Sequence, residues 1–303
     1  MMQHCGSRLD VTSGRNGRSV CVTFGVAPAR TSGSGGTTMA NEKSIANVGA
    51  YGSTKPNVRR IGTADLIDAL AKGLDDFKAM PTHVVFLCLI YPIVTLIFAR
   101  IYAGYEVLAL VFPLLAGYTL IGPLVATGMY ELSRRREAGL DISRGHAFDV
   151  LRSPSIRSIA TLGVVLMAIY VAWLGAAWAI YEAIFGNAAP TSIEEFARQV
   201  FTTPAGWTLI VGGSGVGFLF AVVVLTLSVV SFPLLLDRDV GAMTAMQTSV
   251  RAVLANPITM AIWGLIVAVA LLIGSLPLFV GLSVVMPVLG HATWHLYRKV
   301  VER

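Results

Sequence analysis

The sequence predicts an all-α polytopic membrane protein with six transmembrane helices and short amphipathic cytoplasmic helices. The 303 residues are 55% hydrophobic and 13% charged, whereas a soluble domain carries about 25% charged residues. The apolar residues are grouped in blocks of about twenty or more, which is long enough to cross a hydrocarbon layer roughly 30 Å thick. We therefore expect one membrane domain, over residues 81–303, rather than a soluble core.

Residues 1–56 are predicted to form a disordered N-terminal tail. The segment is rich in Gly, Ser and Thr, and it has no apolar stretch long enough for a span or a signal-peptide core. Met39 begins a segment that resembles a natural start, so we expect residues 1–38 to come from an upstream start codon. The alternative is a transit peptide, because one acid, Asp10, faces the arginines Arg8, Arg15, Arg18 and Arg30.

Residues 57–80 are predicted to form an amphipathic interfacial helix beneath the first span. Thr63 is a suitable N-cap, and Pro81 begins the next element. Apolar residues recur at spacings typical of one helical face, namely Leu66, Ile67, Leu70, Leu74, Phe77 and Met80. Charged residues, including Asp76, occupy the remaining positions. A partner-binding helix is the alternative interpretation.

Six apolar blocks follow this helix, each bounded by polar residues, proline or glycine. Blocks of this length are typical of transmembrane helices. We place the spans at about Pro81–Ala103, Val107–Leu132, Ile156–Phe185, Gly206–Leu236, Ile258–Leu276 and Phe279–Tyr297. The last two are treated as separate spans because residues 258–297 are too many for one crossing.

The lysines and arginines predict the orientation, because basic residues stay on the cytoplasmic side. In this topology only Arg100 and Arg198 lie at or beyond the outer face. The loop between spans two and three holds Arg134, Arg135, Arg136, Arg144, Arg152 and Arg157, and the next inner loop adds Arg238 and Arg251. Both termini are therefore predicted to be cytoplasmic, and the formal charge of +6 is explained without nucleic acid.

A faint internal repeat links the two cytoplasmic loops. One copy contains Pro123, Val150, Leu151 and Pro154, and the other contains Pro233, Val253, Leu254 and Pro257. Each loop would then hold a short helix ended by proline. Because an even number of crossings separates the copies, the repeat would be parallel rather than inverted.

His83, His291 and His295 are the candidate cofactor-binding residues. His291 and His295 lie four residues apart, so their imidazoles share a helical face, and His83 lies at a similar predicted depth. Three histidines in one leaflet could hold a metal, or two could flank a haem iron. We favour the interpretation that the histidines are polar residues at the membrane interface, in an aromatic belt beside Trp294 and Tyr297. We therefore expect the protein to bind no cofactor and no metal, and to show no Soret band. We also expect the His291→Ala variant to keep its fold.

Two further groups predict contacts rather than chemistry. Small residues four apart allow close helix packing, and they occur as Gly213 and Gly217 in span four and as Gly175 and Ala179 in span three. A phosphate-binding loop is not favoured there, because neither a strand nor the terminal Lys-Ser/Thr signature is present. The cluster Arg134, Arg135 and Arg136 is expected to meet anionic lipid or a partner.

Four segments carry a resemblance to a known family. They are Asp75-Asp76-Phe77, Phe232 to Arg238, Ser249 to Asn256 and Gly290 to Arg298. Through them, Val58 to Val301 resembles the uncharacterised bacterial family of predicted integral membrane proteins filed as domain of unknown function 2189. The resemblance implies a six-span inner-membrane protein with no established activity.

The expected function is that of a non-catalytic accessory or scaffold subunit of a bacterial inner-membrane complex. No span carries a charge near its predicted centre, and no nucleophile or cofactor motif is recognisable. Its partners would be the lipid bilayer and other membrane proteins or a second copy. A small-molecule permease or channel is the alternative, suggested by the repeat and by Pro92, Pro113, Pro123 and Pro233. A haem- or metal-binding respiratory component is less favoured.

Overall fold

The computed structural model describes residues 56–80, 113, 122–186, 192–277 and 281–302. The predicted tail (but for residue 56), the first span and His83 lie outside these residues, as does most of the second span. The described helices are α1 (Thr63–Ala79), α2 (Gly122–Val125), α3 (Thr127–Glu137), a 3₁₀ helix (Arg144–Arg152), α4 (Ile156–Phe185), α5 (Ile193–Thr202), α6 (Pro204–Ser228), α7 (Ser231–Asp237), α8 (Ala242–Ala255), α9 (Pro257–Ser275) and α10 (Leu282–Val300). Over these ranges the predicted all-α class is confirmed, apart from one isolated bridge.

Three helical segments in the described part are long and apolar enough to cross a membrane. They are Ile156–Phe185, Pro204–Asp237 and Pro257–Ser275, and they correspond to predicted spans three, four and five. The third span was predicted with the bounds that α4 has. The count of six spans remains a prediction.

Helices α4 and α6 form an antiparallel pair joined by α5. Trp173 of α4 is buried, and its ring lies 3.0 Å from the position that a Cβ on Gly217 of α6 would occupy. Its Nε1 donates to the carbonyl of Pro113 at 3.0 Å. Outside this contact both helices expose large apolar side chains, such as Val171 and Phe218. Such a surface is typical of helices that face lipid.

The predicted fourth span is interrupted between α6 and α7. Pro233 has no N–H and cannot bond to the carbonyl of Val229 one turn earlier. At the break the N–H of Val230 donates to Ser249 Oγ at 3.2 Å, and Ser231 donates to the Leu227 carbonyl at 2.5 Å. Side chains therefore replace backbone bonds that a regular helix would make.

Helix α10 differs in character from the three apolar segments, although it corresponds to predicted span six. Its first half is apolar, whereas its second half carries His291, His295, Arg298 and Lys299. These side chains bond to α1, α3 and α7. The sequence pattern shows the apolar residues but does not show that the last turns pack against protein.

Helix α1 packs along α10, with a contact face that is only partly the predicted one. The buried residues are Leu66, Ala69, Gly73, Asp76 and Met80, and their three- and four-residue spacing forms one stripe. Ile67 and Leu74 were predicted on the apolar face but are 68% and 40% exposed. Ala69 and Gly73 are the small residues of this stripe, and they let the backbones of α1 and α10 approach closely. Large apolar side chains at these positions would prevent this approach.

Residues 56–62 form an extended segment that is fixed against the end of α10. The N–H of Arg59 donates to the carbonyl of Val300 at 2.7 Å, and Val58 pairs with Val301 in an isolated antiparallel bridge. These bonds tie the segment before α1 to the last residues of the chain.

Replacing Asn256 by alanine is expected to destabilise the protein by about 1–2 kcal/mol, because buried backbone groups lose their partner. The N–H of Ile61 donates to Asn256 Oδ1 at 2.8 Å, and Nδ2 donates to the carbonyls of Arg59 and Ala252 at 3.0 and 3.1 Å. Thermal unfolding in detergent measures the change. Asn57→Ala is the control, since its side-chain bond is exposed. Equal losses in both variants would contradict the prediction.

Candidate functional site: a polar layer at one end of the bundle

The polar layer consists of the charged and polar side chains at the ends of α1, α3, α7 and α10 and in the 3₁₀ helix. These segments are far apart in sequence, yet their side chains bond to one another. The ends of the apolar helices α4 and α9 that begin at Ile156 and Pro257 lie on this side, since Ser155 bonds to Asp239 and Asn256 bonds to Arg59. The polar layer therefore contains the basic loops that the sequence analysis assigned to one side of the membrane.

Asp76 of α1 is the centre of the most buried group in the layer. Its Oδ2 accepts from Ser133 Oγ of α3 at 2.5 Å and lies 2.9 Å from Nε2 of His295. Its Oδ1 accepts from Arg136. Ser133 also lies 2.6 Å from Nδ1 of His291. Asp76 thus joins α1 to both α3 and α10.

The bonds to Asp76 keep it ionised. Burial by itself raises the pKa of the Asp76 carboxyl, but the hydrogen bonds from His295, Ser133 and Arg136 outweigh it and hold that pKa below its ordinary value. Several donors on one carboxylate have this effect because they stabilise the charged form.

A second group centres on Glu131 of α3, which is also buried. Its carboxylate accepts two bonds from Arg134, at 2.7 and 2.8 Å. Arg135 lies 3.8 Å from Glu131 and 3.4 Å from Asp149 of the 3₁₀ helix. The bidentate pair is the strong type of charge-assisted bond, and together these contacts hold the 3₁₀ helix to α3.

A third group connects α10 to α3 and α7. The Tyr297 hydroxyl donates to Asp237 at 2.6 Å, and Arg298 bonds to both Asp237 and Glu137 at 3.2 Å. Trp294 Nε1 donates to Glu137 at 3.0 Å. The aromatic residues that the sequence assigned to an interfacial belt therefore bond within the chain.

A fourth group connects the start of α1 to the last turn of α10. Lys299 Nζ lies 3.1 Å from Asp65 and 2.9 Å from Asp68. The ammonium groups of Lys299 and Lys72 lower the pKa of the Asp68 carboxyl to about 2. Both acids are partly exposed, so their energetic contribution is expected to be modest.

Acid is expected to weaken this fourth group. Because the folded pKa of Asp68 is below its ordinary value, the stability that Asp68 contributes is present above about pH 4 and is lost as the pH falls toward about 2. Asp68→Asn should therefore lower the melting temperature slightly at pH 7 and hardly at all near pH 2. Asp75→Asn, on the exposed side of the same helix, is the control. A pH-independent effect of Asp68→Asn would contradict this assignment.

A cavity of about 300 Å³ opens between the second and third groups. Charged residues line it in equal numbers of each sign, as Glu131, Arg134, Arg135, Asp149, Arg152, Asp237, Arg238 and Asp239, together with Ser153 and Ser155. Many of the charged groups already pair across it, so the lining is polar without a large excess of either charge.

The structure brings together two of the three candidate histidines. His291 and His295 both approach Asp76, with Nδ1 of His291 3.9 Å from Oδ2. Within the described ranges, no group of three or more His, Cys, Asp or Glu residues could hold a metal ion. The burial of His291 argues against an intact fold after His291→Ala, since a fully buried ring replaced by alanine leaves a cavity.

The three arginines of the basic cluster are each placed beside a carboxylate. Arg134 and Arg135 face Glu131, and Arg136 faces Asp76. Contact with anionic lipid or a partner stays a prediction for these residues. The sequence analysis did not identify Asp76, Glu131 or Ser133 as central. The sequence feature that could have identified Asp76 is the spacing of the small residues Ala69 and Gly73 on α1, because Asp76 follows them on the same helical face.

The small residues predicted to pack helices have different surroundings. Gly217 faces Trp173, whereas a Cβ on Gly213 or Gly175 would meet no atom of the described residues within 4 Å. Ala179 is exposed. Close packing at these three positions stays a prediction, whereas Trp173 of α4 and Gly217 of α6 meet in the described α4–α6 contact.

Residues 111–237 match the family model described as predicted integral membrane protein (DUF2189). The match confirms the family to which the resemblance pointed, over a shorter range than Val58–Val301. Ser133, Arg136 and Asp237 lie inside the matched range, whereas Asp76 and the segment Gly290 to Arg298 lie outside it. No curated protein and no solved structure matches the chain.

Proposed function

We propose that this chain, whose residues 111–237 match the predicted integral membrane protein family (DUF2189), is a non-catalytic accessory or scaffold protein of a bacterial inner membrane. The observation that carries the proposal is the pairing in the polar layer. Side chains suited to chemistry are used there to hold different segments of the same chain together. Perturbed pKa values arise in such structural networks as well as in active sites.

The outward surface beside the polar layer supports a role in contacts. Leu151 and Leu254 are 67% and 72% exposed. Leu151 lies three residues before Pro154, which precedes the apolar helix α4, and Leu254 lies three residues before Pro257, which begins the apolar helix α9. The preceding residues Val150 and Val253 pack inward. Both loop helices thus present a leucine where the apolar helices begin, which suits insertion into the lipid interface.

The accessory role predicts stable membrane partners. Native purification of a tagged full-length chain, followed by mass spectrometry, is expected to recover other membrane proteins in stoichiometric amounts. The same purification from cells that express the tag on an unrelated multi-span protein is the control. Repeated recovery of the chain alone would contradict the accessory role.

The proposed topology has both termini in the cytoplasm. A reporter fused after Arg303 and one inserted near Arg144 are expected to report the cytoplasm, while one near Asn187 is expected to report the outside. The reason is the retention of basic residues on the inner side. Any other pattern would contradict the six-span arrangement.

A small-molecule permease or channel is the second candidate, favoured by the break between α6 and α7. Interrupted helices commonly line substrate sites in transporters. Here the freed N–H of Val230 bonds to Ser249, which equally suits a packed kink. Flux of small solutes through proteoliposomes tests this candidate, and its absence across a solute panel would remove it.

A further inference from the structure

His291 combines complete burial with a ring nitrogen to which no described residue bonds. Its side chain is 0% exposed, and its Nδ1 lies 2.6 Å from Ser133 Oγ. Ser133 Oγ in turn lies 2.5 Å from Asp76 Oδ2. No residue in the described part of the chain bonds to Nε2 of His291. Among the described residues, the imidazole therefore has a partner at Nδ1 and none at Nε2.

The hydrogen bonds define which nitrogen carries the proton. The Ser133 hydroxyl has a single hydrogen, and an ionised Asp76 can only accept. Because the Ser133 and Asp76 oxygens are 2.5 Å apart, that hydrogen lies between them. The short contact between His291 and Ser133 then requires an N–H on Nδ1. Nε2 is left as a bare lone pair in a buried position, where an unmade bond is costly.

We propose that His291 Nε2 is a proton-binding site and that Ser133 and Asp76 connect it to the polar layer. A proton that binds Nε2 converts the ring to imidazolium. The Nδ1 proton can then pass to Ser133 Oγ while the Ser133 hydroxyl proton passes to Asp76 Oδ2. In this relay the Nδ1–H bond and the original Ser133 O–H bond break, while a new Ser133 O–H bond and an Asp76 O–H bond form. The ring keeps its proton on Nε2, and the carboxyl group gains one proton for each proton that Nε2 takes up.

The outer end of this path reaches solvent. Asp76 Oδ2 lies 2.9 Å from His295 Nε2, and the side chains of His295 and Arg136 are 14% and 39% exposed. A proton on Asp76 can therefore leave through His295 without movement of a helix. The direction of the path is from the interior of the α1–α3–α10 contact to the surface of the polar layer.

The charged groups around His291 come from three described helices. Burial of the ring opposes the imidazolium most, Asp76 of α1 favours it, and a protonated His295 of α10 and Arg136 of α3 oppose it. Helix α9 also packs on α10 but carries no charged residue, and Asp237 of α7 pairs with Tyr297 and Arg298 further along. The arrangement suits a proton better than a metal ion, because Arg136 already occupies the Asp76 carboxylate.

The test is ¹⁵N NMR of the full-length protein with labelled histidine in detergent or nanodiscs. One ring is expected in the Nδ1–H form at neutral pH, and this ring should become doubly protonated on acidification. Its signals should vanish in His291→Gln and persist in His295→Gln. A chain in which His4, His83, His146 and His295 are all glutamine identifies the ring if His291→Gln does not fold.

Ser133→Ala separates the proposed path from simple burial. Both the neutral ring and the imidazolium lose their acceptor at Nδ1, but the imidazolium loses the stronger, charge-assisted bond. The titration midpoint of His291 is therefore expected to move to lower pH. A ring found in the Nε2–H form, a His291 that stays unprotonated until the protein unfolds, or an unchanged midpoint in Ser133→Ala would overturn the proposal.

Discussion

Replacing Asp76 by alanine is expected to destabilise the protein by about 3–5 kcal/mol, because removal of one partner leaves a buried charge network uncompensated. Ser133, Arg136 and His295 all bond to this carboxylate, and α1 would lose its polar link to α3 and α10. Thermal or urea unfolding in detergent measures the loss. Asp75→Ala is the matched control, since the neighbouring carboxylate is exposed and its loss should be nearly neutral.

The pH dependence of the stability of Asp76→Asn is a second test of the contacts that Asp76 makes. Since the pKa of Asp76 is lowered by its hydrogen bonds despite burial, its stabilising effect is present above the ordinary aspartate pKa of about 4 and is lost as the pH falls through the lower folded pKa. The difference in stability between wild type and Asp76→Asn should therefore shrink below about pH 4. A constant difference down to the acid unfolding of both proteins would show that the ionised form is not the stabilising one.

Replacing Gly73 by alanine is expected to cost about 2–3 kcal/mol, near the upper end of ordinary overpacking effects. A Cβ at Gly73 would lie 2.6 Å from the backbone nitrogen of Ala292 and 2.7 Å from its Cβ, so one helix must move away from the other. Alanine gains about 0.5–1 kcal/mol of helix propensity over glycine, which offsets only part of the clash. Hydrogen exchange of α1 should rise together with the loss in melting temperature.

Gly215→Ala is the matched control for this substitution. Gly215 lies in α6, where a Cβ would meet no atom of the described residues within 4 Å, so the propensity gain should make the variant neutral or slightly more stable. An equally stable Gly73→Ala would mean that α1 does not pack on α10 as closely as described. It would also weaken the case for the Asp76 group, which depends on the same contact.

Much of the fold follows from local sequence. The bounds of α4, Ile156–Phe185, were predicted because an apolar block of that length between polar residues has few alternatives. The predicted starts of spans four and five, Gly206 and Ile258, lie close to Pro204 and Pro257, where α6 and α9 begin. The resemblance also indicated the family that residues 111–237 match.

Composition was less informative where helices contact each other through small or polar residues. Ile67 and Leu74 fit an apolar stripe by spacing but are exposed, while Gly73 and Asp76 are buried. In a chain that presents apolar surface to lipid, hydrophobicity does not identify the buried face, because lipid accepts apolar side chains as readily as protein does. The sequence therefore placed Asp76 among solvated charges.

The sequence by itself determined that this is a helical membrane protein, which segments are apolar, and on which side its basic loops are expected. Only the tertiary structure decided that Asp76, Ser133 and His291 form one hydrogen-bonded group. These residues come from three helices, and Asp76 and Ser133 are separated by 57 positions while Ser133 and His291 are separated by 158. Periodicity reports the face of one helix, whereas a hydrogen bond between helices depends on their relative position to within a fraction of an ångström, which packing alone sets.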